Sequence, residues 1–246
     1  MVTIVTGNFK GGVGKTTTSV NLAYCFSEMG KKTLLIDGDP QTNSTPFYKR
    51  NVADNKTIKE AIDNPGRIMD YITSTKYPNL DVLGGCRDLI GETLDNNQIT
   101  WLSVAKEQLE NIYDICLIDT NPDLSPLTVS ALIAADVLLT PIGLNMSCRD
   151  NLSLLEEKVD ELIEANGLVW KIFAMGVDLR RKSQKNALTD IVEKHNYPFL
   201  ENYISSSADV NNAWDLYKPV PLHRSKSIVT EEFRALAQEL LGSVEV

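Results

Sequence analysis

The stretch "NFKGGVGKTT", residues 8–17, decides the fold. An apolar run, VTIV (2–5), leads into it, and an amphipathic stretch, TTTSVNLAYCFSEMG (16–30), follows. A strand, a glycine-rich turn and a helix in that order form a phosphate cradle: backbone N–H groups converge inward and the helix N-terminus adds partial positive charge. Gly11, Gly12, Val13 and Gly14 are then the cradle. Lys15 reaches the β- and γ-phosphates, the Thr16 hydroxyl ligates Mg²⁺, and Thr17 completes the cofactor-binding run. The usual spacing G-x-x-x-x-G-K-[ST] places glycine where this chain has Phe9, and a second lysine, Lys10, has no part in that scheme.

Working outward, short apolar runs alternate with helical patterns. VTIV (2–5), KTLLID (32–37), LDVLG (80–84), YDICLID (113–119), DVLLTPI (136–142) and IFAMGV (172–177) read as strands, continuous rather than alternating, as strands buried on both faces are. Residues 16–30, 99–112 and 151–167 read as amphipathic helices, the first and third closed by Gly30 and Gly167. Segment 40–78 is the least regular, with short helices at TIKEAID and RIMDYIT. Repeated β-α alternation predicts an α/β fold: a doubly wound, mostly parallel sheet flanked by helices, with the phosphate loop (P-loop) after its first strand. With no repeat, linker or low-complexity tract, residues 1–246 are expected to be one domain.

Composition excludes several classes. The 246 residues are 43% hydrophobic and 23% charged, which is globular rather than disordered, and no apolar run is long enough for a membrane span. The start MVTIVTGNF lacks the charged region of a signal peptide, so a cytoplasmic protein is expected. A net charge of -9 argues against a surface coated in cations but permits a local basic patch. Cys25, Cys86, Cys116 and Cys148 are scattered and are expected to be reduced, mostly buried small hydrophobes. His195 and His223 are isolated.

Acidic residues end two of the strands. Asp37 and Asp39 follow the second run, in LLIDGDPQ, and Asp119 closes DICLID; carboxyl ends of parallel strands are where ligands sit in such sheets. Basic residues cluster later: Arg180, Arg181, Lys182 and Lys185 after MGVDL, then Arg224 and Lys226. On the residues alone, that cluster is either a solvated helix start or a phosphate-contacting surface.

KGGVGKTTTSVNLA followed by KKTLLIDGDPQTNST resembles the deviant Walker A ATPases, most closely the ParA partition ATPases, whose members also commonly lack glycine at the Phe9 position. YDICLIDTNPDLSPLT is similar to the family's Walker B strand; MGVDLRRKSQKNALTDI and AWDLYKPVPLH are similar to its C-terminal segments. The resemblance implies an ATP- and Mg²⁺-dependent ATPase that forms an ATP-dependent homodimer, with Lys10 reaching across the interface to the other subunit's nucleotide. It implies that Asp39 orients the attacking water, that Asp37 supports the Mg²⁺ and water network, and that Asp119 holds Mg²⁺. Asp178, Pro219 and Pro221 are implied on the nucleoside side of the cofactor. It further implies nonspecific DNA binding through Arg180, Arg181, Lys182, Lys185, Arg224 and Lys226, nucleoid association when ATP is bound, and a ParB-like centromere-binding partner. The family usually continues Asp-Thr-Pro-Pro after the Walker B acid, whereas here Asn121 replaces the first proline.

Related families fit less well. The iron protein of nitrogenase needs a second cluster cysteine beyond the Walker B acid, and 120–130 has none. MinD-like proteins carry a basic membrane helix at the C-terminus, but TEEFRALAQELLGSVEV is acidic and is expected to pack on the domain. A terminal tyrosine cluster, as in related bacterial tyrosine kinases, is missing, and so is a helix-turn-helix ahead of the phosphate loop. The alternative function is a nucleotide-switched positioning or regulatory protein, MinD-like, that does not bind DNA.

Overall fold

In a computed structural model of the chain, which describes residues 1–144, 148–195 and 197–244, the elements follow the expected alternation. In order they are β1 (Val2–Thr6), α1 (Lys15–Glu28), β2 (Thr33–Gly38), α2 (Thr45–Tyr48), α3 (Ile58–Asp63), α4 (Ile68–Tyr71), β3 (Thr73–Ser74), β4 (Leu80–Leu83), α5 (Asn96–Ile99) and α6 (Trp101–Leu109). There follow β5 (Ile115–Thr120), α7 (Pro126–Ala134), β6 (Val137–Ile142), α8 (Cys148–Asn166), β7 (Val169–Val177), α9 (Lys182–His195), β8 (Ile204–Ser205), α10 (Ala208–Asp215), α11 (Val220–His223) and α12 (Ile228–Ser243). The strands form one eight-stranded sheet in the order β3-β4-β2-β5-β1-β6-β7-β8. Every pairing is parallel except that of the edge ribbon β3 with β4.

The strand runs are continuous in hydrophobicity because successive side chains enter different cores. Val5, Leu34, Ile36, Cys116, Ile118 and Leu138 face one side, packed by α3, α6, α7 and α8. Ile4, Leu35, Ile115, Leu117, Val137 and Leu139 face the other, packed by α1 and α12. Phe233, Leu236, Ala237 and Leu240 of α12 are fully buried, so the acidic C-terminal helix covers the sheet with its apolar stripe. Among the described residues no helix is long and apolar enough to cross a membrane. Cys25 and Cys116 are buried free thiols, both pushed up to about 12 by burial, and Cys86 is half-buried.

Several boundaries shift from expectation. The helix expected over 99–112 divides at Thr100 into α5 and α6 and ends at Leu109. Strand β7 begins at Val169 rather than 172, and α8 starts at Cys148 rather than 151. The two-residue strands β3 and β8 carry too little pattern to be read from sequence, and pairing with a neighbour is what creates them.

Candidate functional site

The phosphate loop leaves β1 at the sheet's carboxyl edge. Gly12 and Gly14 hold left-handed backbone, with φ of 73° and 95°. At Gly14 the restriction is twofold, because a Cβ would lie 2.9 Å from the Met175 side chain. Asn8 ties the loop down: its Nδ2 donates to the Pro141 carbonyl at the end of β6 (2.9 Å), and its Oδ1 accepts from the Lys10 N–H (2.9 Å). Phe9, at the position where the usual loop has glycine, packs against the core. The side chain of Lys15, the first residue of α1, is buried, and its Nζ lies 3.3 Å from the Lys10 carbonyl oxygen. Burial lowers the pKa of that ammonium, while the Asp119, Asp39 and Asp123 carboxylates oppose the shift.

Sheet register brings the acids to the loop. Asp37 and Asp119 are direct partners in the β2–β5 pairing, and Asp119 is level with Thr6 at the end of β1. Both are completely buried. The Asp119 carboxyl is pushed up to about 8 by burial and then by Asp37, while the Thr16 and Ser19 hydroxyls pull the other way. Ser19 Oγ lies 3.1 Å from Asp119 Oδ1. Asp37 is pushed up to about 6 by burial, and Thr45 opposes this by donating its N–H (2.8 Å) and its hydroxyl to Asp37 Oδ2. Asp119 Oδ2 and Asp37 Oδ1 are buried acceptors without a protein partner. Orphaned carboxylate oxygens are costly, and two of them beside a lysine and a threonine hydroxyl fit a divalent cation shared with a phosphate. Asp39, nearly buried, accepts the Gln41 N–H at Oδ1 (2.8 Å).

The loop and Asp39 open onto a cleft of about 430 Å³ lined by Gly11, Gly12, Gly14, Lys15, Thr16, Thr17, Asp39, Asn43, Thr120, Pro122, Asn211 and Trp214, and Asp37 and Asp119 lie buried behind that lining. Asp39 also borders an adjoining groove of about 550 Å³ shared with Asn121, Asp123 and Ile90. Where proline would stiffen the loop after β5, the Asn121 carboxamide oxygen accepts from the Thr128 hydroxyl (2.7 Å) and the Ser125 hydroxyl (3.2 Å).

The expected nucleoside-side residues lie apart from that lining. Asp178 follows β7 and takes a two-pronged contact from Arg180, at 2.7 and 3.0 Å; that hydrogen bonding holds its carboxyl below the usual range. Pro219, which caps α11, and Pro221, within it, are buried, and the Val220 N–H of α11 donates to Asn21 Oδ1 on α1 (2.6 Å). Lys182 and Lys185 are exposed on α9 and Lys226 is exposed beyond α11. Arg181 and Arg224 face Asp178 and Asp209 at 3.6 Å.

Sequence reasoning missed Asn8, Ser19, Thr45, Asn211 and Trp214. Ser19 was open to inference, since it stands one helical turn after Lys15 on the face that meets β5. Trp214 and Thr45 depend on segments distant in the chain and gave no local signal.

A family model described as an AAA domain matches residues 1–169. The chain is 30% identical over 247 residues to the chromosome partitioning protein ParA of Caulobacter vibrioides, covering 96% of this chain and 92% of that one. This chain belongs to the ParA/MinD family of P-loop ATPases, on its ParA side. McdA of Cyanothece, in complex with ATP, superposes with a TM-score of 0.86 at 22% identity, covering 100% of this chain and 98% of that one. Cobyrinic acid a,c-diamide synthase from Mycobacterium smegmatis, with bound ATP analog and magnesium, superposes at 0.83 with 21% identity, covering 98% and 94%. At those identities the likeness is one of fold, and that a synthase shares it shows that the ParA-type assignment comes from the sequence relatives.

Proposed function

We propose that this ParA-type chain is a Mg²⁺-dependent ATPase that dimerises around ATP, binds DNA without sequence preference as the ATP dimer, and uses hydrolysis as a timer for DNA partition. The observation that carries the proposal is the pair of orphaned oxygens, Asp37 Oδ1 and Asp119 Oδ2, buried at strand ends level with the end of β1, from which the phosphate loop departs. Thr16 and Asp119 would hold Mg²⁺, with Asp37 behind them. When bound, the ion draws charge from the β- and γ-phosphate oxygens. Lys15 neutralises the same oxygens from the opposite side, and Asp39, on the border between cleft and groove, orients the attacking water. Lys10 follows an Asn8-pinned backbone and acts on the nucleotide of a second copy, so that the dimer requires nucleotide on both sides. A ParB-like partner would then set the timing of hydrolysis.

DNA binding rests on phosphate contacts by Arg180, Arg181, Lys182, Lys185, Arg224 and Lys226, doubled on one particle by dimerisation. The ion pairs of Arg180 and Arg181 with Asp178 favour a second reading, a nucleotide-switched positioning protein that leaves DNA alone. A gel shift on nonspecific duplex DNA with ATP, ADP or no nucleotide separates the two. The partition reading expects an ATP-dependent shift that fades steeply with salt; no shift by the ATP dimer at low salt rejects it.

A further inference from the structure

We propose that Trp214 is the surface against which the nucleoside of the bound nucleotide stacks, so that α10 selects for a purine nucleoside triphosphate. The proposal rests on the nucleotide reading above and assigns the part of the ligand that the phosphate loop leaves unaccounted for. The loop and Lys15 occupy one wall of the cleft; Asp39, Thr120 and Pro122 border the metal side. The remaining wall carries Asn211 and Trp214, one turn apart on α10, and Trp214 is the one aromatic residue lining the cleft among the described residues. Thr17 and that wall line the same cleft as the loop, so a nucleotide with its phosphates on Gly12–Thr16 has the Trp214 face within the space open to it. A flat heteroaromatic base finds there a face of matching shape, larger for a purine than for a pyrimidine.

The indole is held in advance of any ligand. Its ring meets Phe47 with centroids 5.2 Å apart and planes at 62°, and Phe47 in turn meets Tyr217 at 5.6 Å and 75°. Phe47 is buried, whereas Trp214 is only half-buried. Tyr217 adopts φ 49°, a left-handed conformation that favours glycine, at the end of α10. That conformation closes α10, with the Tyr217 and Lys218 N–H groups donating to the Trp214 and Ala213 carbonyls, and it sets a third ring beside Phe47. Phe47 also belongs to α2, the short helix whose Thr45 binds Asp37. Base wall and metal carboxylate are therefore braced by the same four residues.

Tryptophan makes the proposal measurable, because Trp101 and Trp170 are 3% and 6% exposed and lie in the core on the other side of the sheet. ATP should change the intrinsic fluorescence of the full chain with Mg²⁺, and inorganic tripolyphosphate, which has no base, should leave it nearly unchanged. Trp214→Ala should lower ATP affinity about tenfold, the scale of one base–aromatic stack, and leave tripolyphosphate affinity as in the wild type. Trp214→Phe keeps a ring against Phe47 and should retain most of the ATP affinity while losing the fluorescence response. Equal weakening of both ligands by Trp214→Ala would assign the residue a purely structural role and overturn the proposal, as would an unchanged ATP affinity. A wild-type chain that binds neither ligand overturns the nucleotide reading itself, and the proposal with it.

Discussion

Along the carboxyl edge of one sheet, the chain collects charge twice, by opposite means. At the ends of β1, β2 and β5, Lys15, Asp37 and Asp119 are withdrawn from water, and two carboxylate oxygens lack any protein partner. Beyond β7 Arg180 and Arg181 stand in solvent, Arg180 at 91% exposure, and share the single carboxylate of Asp178 in their own segment. Taking the Asp37 and Asp119 carboxylates out of water costs free energy, which is offset by proton uptake in the metal-free protein or by a bound cation. Exposed, paired charge costs little, and the second region stands equally well with or without a ligand. What separates a site from a charged surface here is desolvation, and residue type alone does not carry that information.

The most damaging change should be Lys15→Ala. With its buried cation gone, the cradle should lose about a hundredfold or more in ATP affinity, the scale of two charge-assisted hydrogen bonds. Titration calorimetry checks it, and a near-normal affinity would break the contrast at its strongest point. Next is Lys10→Ala, which should leave the monomer's nucleotide affinity within a few-fold of wild type. The ATP-dependent dimer, followed by light scattering, and turnover should both fall by at least about tenfold.

A third change sharpens the contrast by improving stability. Asp119 and Asp37 bind protons more tightly in the folded chain than in the unfolded one, with carboxyls at about 8 and about 6 against 3.8. Their contribution is fully present below about pH 4 and is lost as pH rises toward 8, so the metal-free protein should become less stable over that window. Asp119→Asn should flatten most of that slope and raise the metal-free Tm at pH 8 by several degrees, at roughly 2–4 °C per kcal/mol for a chain of this size. It should also abolish the added stability that Mg²⁺ with ATP gives the wild type. A lowered Tm in that variant would mean that the carboxylate is satisfied in some other way. The smallest effect belongs to the exposed region. Arg181→Ala together with Lys182→Ala should weaken binding to every DNA sequence alike, by about three- to tenfold, reduce the salt slope by up to about two, and spare basal turnover.

How much of this was legible in the sequence follows from how far apart the participants lie. The phosphate loop is a local device of ten residues, and strand, glycines, lysine and helix can be read in one pass. The carboxylates were legible as strand ends, but the alignment of Asp37 with Asp119 is a sheet register between residues 82 positions apart. Hidden for the same reason were the Phe47–Trp214 contact and the pairing of Arg224 with Asp209. Helix ends moved where local signals were weak, as at Thr100, which has no side-chain cap on α6.

Asn121 gives the loop after β5 a dependence on temperature that the family's usual proline would not confer. Proline restricts a loop by removing conformations from the unfolded chain, a constraint of covalent geometry that heating does not release. A carboxamide gripped by the Thr128 and Ser125 hydroxyls restricts it through two bonds for which water competes, and whose hold slackens with warming. The segment that shares a groove with Asp39 is thus fastened chemically rather than sterically. Its stiffness, and any rate that depends on it, should vary with heat and with hydroxyl chemistry at two side chains.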